Sequence, residues 1–286
     1  MSLNKPIYKL RDWINPKKLN WNYLCKNPNA IYLLEKNLDK INWYNLCENL
    51  NAIHLLEKNL NKIDWSILSF NPNAIELLKK NKDKIMWSCL SSNSNAIKLL
   101  EANQDKIDWF ALSSNPNAIK LLEANQNKID WCIILSNSNA IELLKKNQDK
   151  IWGNLLNPNK DEIKWSYLSA NSNQFAIKIL EKNQDNINWT ILSENSNAIN
   201  LLEKNQDKID WESLSSNPNA IKLLKANQDK INWNLFSQNS SIFELDYEAM
   251  RIANQDLYEE LIKEVMKPSR VFKNPNYDYI EELFGD

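Results

Sequence analysis

The sequence predicts an all-α protein: an α-solenoid of about ten 22-residue two-helix repeats, with a degenerate N-terminal cap and a helical C-terminal cap. Two observations carry this. Tryptophan returns at a fixed step, with Trp21, Trp43, Trp65, Trp87, Trp109 and Trp131 each 22 residues apart, and Trp189, Trp211 and Trp233 keeping that step. Around it the wording repeats as W-x-x-L-S-x-N-[PS]-N-A-I-x-L-L-x-x-N-x-x-K-I-[DN].

Each half of the unit reads as a helix. In "NPNAIELLKKN", Ala74, Ile75, Leu77 and Leu78 share one helical face, with Asn71 as N-cap and Pro72 in the first turn. Asn81 ends the run, where the left-handed C-cap conformation is expected of it. The shorter second helix starts at Trp, behind Asp64, Asp108, Asp130 or Asp210, or behind Asn42, Asn188 or Asn232, as N-cap. Four helix ends per repeat leave many orphan backbone groups, and asparagine can serve them in a chain with two glycines. A leucine-rich repeat is the rival fold, but it needs a strand where Pro and Ala here open a helix.

Helices this short must stack to be stable. The recurring apolar positions therefore form a core, and the ladder Trp43, Trp65, Trp87, Trp109, Trp131, Trp189, Trp211 and Trp233 is assigned to it. The chain divides into an N-terminal cap (1–20, a degenerate half-repeat containing "DWINPKKLNW"), regular repeats (21–151), a truncated unit (152–164), a second repeat block (165–241) and C-terminal capping helices (242–286). Trp152 to Trp165 spans only 13 residues and lacks the Ala-Ile-x-Leu-Leu helix, and Gln174 and Phe175 are inserted further on. A kink is expected at the truncation. Nine or ten layers at about 8–10 Å each predict a monomeric particle roughly 80–100 Å long.

Composition narrows the function. With 43% hydrophobic residues the chain can bury a core, and a net charge of -1 offers no basic balance for nucleic acid. "MSLNKPIYKL" has no apolar core of signal-peptide length, and no run is long enough to span a bilayer. Cys25, Cys47, Cys89 and Cys132 read as free thiols, since Cys25 and Cys47 sit one repeat apart, too far for a disulfide. His54, the single histidine, falls in an exposed variable column. There is no Gly-rich phosphate loop, no HExxH, no GxSxG and no Cys/His cluster, so the reading is a non-enzyme without cofactor or metal. The Asp-Lys columns, such as Asp83-Lys84 and Asp105-Lys106, read as a solvated edge.

Tandem "NPNAIxLLExNxDKIDWxxLSxNPNAI" repeats, followed by "EELIKEVMKPSRV", resemble repeat proteins of giant DNA viruses of the mimivirus group. Lys267 stands where a His is common in that closing segment. The resemblance covers nearly the whole chain. It implies a viral protein in host cytoplasm or in the virion, and it implies no activity.

The expected function is a scaffold for protein–protein interaction, because solenoids present long surfaces with variable columns. Tyr44, Phe70 and Phe110 are the candidate anchors: apolar residues one or five positions after Trp, among small polar neighbours, which could equally fill gaps between repeats. A helical-repeat RNA binder is the alternative, although no basic column marks it.

Overall fold

The computed structural model describes residues 6–147 and 158–267. It forms two units, Leu10–Phe243 on one side and Met1–Lys9 with Glu244–Asp286 on the other. Among the described residues the larger unit is helix and turn apart from Leu10 and Phe243 at its two ends, and it holds the repeats.

In a full repeat, a Trp helix such as Trp65–Phe70 begins behind Asp64, whose carboxylate accepts the Ile67 N–H. A 3-10 turn, Pro72–Ala74, then leads into the leucine helix Ile75–Lys80. A second 3-10 turn, Lys82–Lys84, carries the chain to the next Trp. Asn81 does not adopt the left-handed conformation. It sits at φ -128, and its side-chain amide donates back to the Leu77 oxygen at 2.9 Å. The amide itself caps the carbonyl, so no positive φ is needed, and none occurs outside glycine among the described residues.

The core is built of small and medium apolar groups. The Leu one turn after each Trp (Leu46, Leu68, Leu112), the Ala opening each leucine helix (Ala52, Ala74, Ala118) and the second Leu of that helix (Leu56, Leu78, Leu122) are all fully buried. The tryptophans are not. Trp43, Trp65, Trp87, Trp109, Trp131, Trp189, Trp211 and Trp233 are each half-buried. Trp is the first helical residue, packed at the rim of the core beside the N-cap, and the Leu three positions later takes the fully buried site.

Two hydrogen-bond ladders tie repeat to repeat. Asn115, fully buried, donates from Nδ2 to the oxygens of Ser91 and Asn93 in the preceding repeat, while its Oδ1 accepts the Asn117 N–H. Asn27, Asn49, Asn71, Asn93, Asn137, Asn171, Asn195, Asn217 and Asn239 make the same pair of donations. The second ladder runs through the residue four after Trp. Ser91 Oγ donates to the Trp87 oxygen and accepts the Asp108 N–H of the next repeat, and Cys25 and Cys47 occupy the same column.

Both ladders pass from the last repeat into the first, although the second is interrupted in the sixth repeat, where Leu135 takes the Ser/Cys position. Asn27 of the first repeat donates to Ser237 and Asn239 of the last, and the Asn20 N–H donates to Ser237 Oγ. The larger unit is therefore an all-α solenoid of ten repeats that closes on itself as a ring. A turn of roughly 36° per repeat suffices, and solenoid curvature arises from such small rotations. The tenth repeat comes from both chain ends. Trp233–Phe243 gives its first half and Leu10–Asn20 its second, eleven residues each, together one 22-residue unit. The residues read as an N-terminal cap thus complete a repeat. At the join, β1 (Tyr8–Leu10) pairs antiparallel with β2 (Phe243–Leu245), flanked by Arg11 N–H to Ile242 O and Asp246 N–H to Ile7 O.

The truncated unit does not interrupt the asparagine ladder. Its first part, 152–157, lies outside the described residues, and Pro158–Ala170 is one continuous helix carrying Trp165. Asn171 reaches back to Leu135 and Asn137, at 2.7 and 3.2 Å, so the repeats of Trp131 and Trp165 are direct neighbours and the ladder has no break at the expected kink. The Gln174–Phe175 insertion extends the following leucine helix to Gln174–Lys182, with Asn173 as its cap.

In the smaller unit, the helices Tyr247–Ala253 and Gln255–Val265 follow β2. No helix among the described residues is long and apolar enough to cross a membrane.

Candidate interaction surface

Except after the sixth repeat, where Leu135 takes the column position, the Trp helices join along the ring through the Ser/Cys ladder, which brings the end of one helix to the start of the next. Their outward positions form a belt. On a helix the residues one and five after Trp lie a turn apart on one face. The side chain before each Trp meets the belt of the preceding repeat: Asn42 Nδ2 reaches Asn22 Oδ1, Asn232 Nδ2 reaches Glu212 Oε1, and Thr190 Oγ1 donates to Asp210 Oδ2.

The belt has two kinds of arc. Through repeats two to five it carries Tyr44, Phe70, Met86 and Phe110, at 53%, 49%, 46% and 60% exposure. The three residues singled out from sequence are thus exposed side chains, not fillers of gaps between repeats. Met86 was missed because its column normally holds the N-cap Asp or Asn. Its N–H is bound by Ser69 Oγ, which places it beside Phe70. Through repeats seven to ten the positions one and five after Trp hold Ser166, Ala170, Thr190, Glu194, Glu212, Ser216, Asn234 and Gln238. Four exposed large apolar side chains thus stand on consecutive repeats.

The tryptophans form a second column. Lys40, Lys62, Lys106, Lys128, Lys208 and Lys230 each place their ammonium 4.3–5.1 Å from the ring centre of the Trp nineteen residues earlier, and Lys18 does the same to Trp233 across the join. These lysines are cation–π partners that cover the exposed indole faces, rather than the free solvated edge that the Asp-Lys pattern suggests.

Titratable groups add little chemistry. His54 Nε2 and Glu35 Oε1 are 2.6 Å apart on the surface. Burial pushes the Cys25 and Cys47 thiols up, offset in part by a backbone N–H from Asn42 and from Asp64 respectively. Both thiols thus already serve the ladder. Among the described residues no three His, Cys, Asp or Glu side chains converge as a metal's donor set requires.

Neither a curated protein nor a solved structure matches the chain. The model of the family described as periplasmic copper-binding protein (NosD) matches residues 7–175, from the strand ahead of the first repeat into the seventh. That is more than half of the 286 residues, and the chain belongs to this family.

Proposed function

We propose that the ring is a non-enzymatic scaffold that binds another protein through the aromatic arc of its Trp-helix belt. The observation that carries this reading is the confinement of Tyr44, Phe70, Met86 and Phe110 to four consecutive repeats of a belt whose other positions hold small or polar residues. Aromatic residues and Met are enriched at the centres of protein interfaces, and small polar neighbours supply a rim. The arc is presented by a frame whose repeats are locked by paired amide bonds, so little conformational freedom is lost on binding.

The repeat wording supports a setting in infected host cytoplasm or in the virion. The copper binding named in the family's description is not carried over. The two column thiols are engaged with backbone groups, and the described side chains do not form a donor set for the metal.

The test is affinity capture with the tagged full chain against the Tyr44→Ser, Phe70→Ser, Phe110→Ser variant, each with and without nuclease. Protein captured by the wild type, lost in the variant and resistant to nuclease is the expected result. Capture that vanishes with nuclease would instead favour a helical-repeat RNA binder.

A further inference from the structure

The geometry points to the seam of the tenth repeat as a peptide-binding site, filled here by the chain's own Leu10–Asn20 and able to take the same segment from a second copy. In the regular repeats the two halves are joined by a peptide bond at the position that follows the first residue of the leucine helix. In the tenth repeat those two positions are Phe243 and Leu10, the two ends of the ring. The second half is thus held there by non-covalent contacts and by its one covalent link, Asn20 to Trp21.

The contacts define the ligand. Ile14 is buried to 4% exposure, in a repeat that lacks its leucine helix. The Trp13 ring lies 5.8 Å from that of Phe236. Arg11 Nε donates to the Ser241 oxygen at 2.7 Å, and its N–H donates to Ile242. Lys18 covers Trp233 at 4.6 Å, and the Asn20 N–H reaches Ser237 Oγ at 2.8 Å. The slot therefore takes a short segment with a Trp-Ile pair between an upstream guanidinium and a downstream ammonium. That is the segment every copy of this chain carries.

Exchange conserves contacts. If a second copy's segment enters the slot, it can remake the contacts of Arg11, Trp13, Ile14 and Lys18, while each Asn20 stays with the Trp21–Leu24 helix that it caps. The tethered segment has an effective concentration of about millimolar, so it holds the slot in dilute solution. Weakening the tethered copy should open the slot to an added one.

A fluorescent peptide of residues 6–20 tests this on the full chain. The Arg11→Ala, Trp13→Ala variant is expected to bind it at least tenfold tighter than the wild type, and Trp13→Ala in the peptide should abolish binding. A variant that keeps its helical spectrum and cooperative melt yet takes up no peptide overturns the proposal. Hydrogen exchange of the wild type decides the matter even if the variant fails to fold. The Lys18 and Asn20 amides should exchange at least tenfold faster than their counterparts Lys106 and Asp108 inside the ring, whereas equal rates would mean that the seam does not open.

Discussion

Asn27 Nδ2 donates to the main-chain oxygens of Ser237 and Asn239, at 3.1 and 2.8 Å, across most of the length of the chain. Asn49 makes the same pair of bonds to Cys25 and Asn27, its immediate predecessors. The first repeat therefore treats the last as its predecessor. A buried amide that satisfies two carbonyls and one N–H cannot be replaced by a smaller group without stranding all three.

That gives a first prediction. Asn115→Ala leaves the Ser91 and Asn93 oxygens and the Asn117 N–H without their partner in a fully buried place. It should cost about 3 kcal/mol in urea unfolding. Asn117→Ala removes one exposed bond, to the Ser94 oxygen, and should cost less than about 1 kcal/mol. Equal losses would mean that the buried ladder holds no special share of the stability.

The second prediction separates rim from core. Leu112 is fully buried and Trp109 is half-buried. Leu112→Ala should cost about 3–4 kcal/mol, while Trp109→Ala should cost about 2 kcal/mol because part of the indole stays exposed at the rim. Lys128→Ala, which uncovers Trp109, should cost about 0.5–1 kcal/mol. A Trp109→Ala loss well above that of Leu112→Ala would return the tryptophan to the core.

The helices, their N-caps and the 22-residue period were legible because each rests on local chemistry: Ala74, Leu77 and Leu78 at helical spacing, and Asp64 before Trp65. The ring was not, because closure depends on the angle between repeats, which no single repeat spells out. One trace of it was present. "NPKKLNW" at Asn15–Trp21 is the second half of a repeat whose first half, "WNLFSQNSSIF", stands at the other end of the chain. Of the candidate site, Tyr44, Phe70 and Phe110 could be found as departures from small polar columns. Met86 hid in a capping column, and the Lys–Trp pairs hid behind adjacent acids.

The third prediction concerns the two column thiols. Burial raises the Cys25 and Cys47 pKa, so the folded state holds their protons more tightly than the unfolded chain does. Stability from this source is complete below the unfolded thiol pKa, about 8.5, and is lost as pH rises through the folded value. Ser fills the same column at Ser69, Ser91, Ser113 and Ser193, each donating to the oxygen of its own Trp. Cys25→Ser, Cys47→Ser should therefore unfold near the wild-type urea midpoint at neutral pH. As pH rises above about 8.5 it should lose less stability than the wild type. Parallel losses in the two proteins would show that these thiols do not titrate on unfolding.

The ring itself can be tested by moving the chain ends. Leu10 and Phe243 stand opposite each other where β1 meets β2, with the Arg11 N–H bound to the Ile242 oxygen at 3.0 Å beside them. In an open solenoid the first and last repeats would lie at opposite ends, and no direct link could join them. In a ring the link restores the continuity that every other repeat already has. A permutant of residues 10–243 with Phe243 joined to Leu10, opened between the exposed Lys82 and Asp83 of a 3-10 turn, should fold to a helical spectrum matching the parent ring. It should also be the more resistant to unfolding from the seam, because the tenth repeat then has both halves on one continuous stretch of chain, while the new break falls in a surface turn whose loss strands few buried groups. Circular dichroism and a cooperative urea transition decide the point. A permutant that stays unfolded, alongside a parent of residues 10–243 that folds, would mean that the ends do not meet.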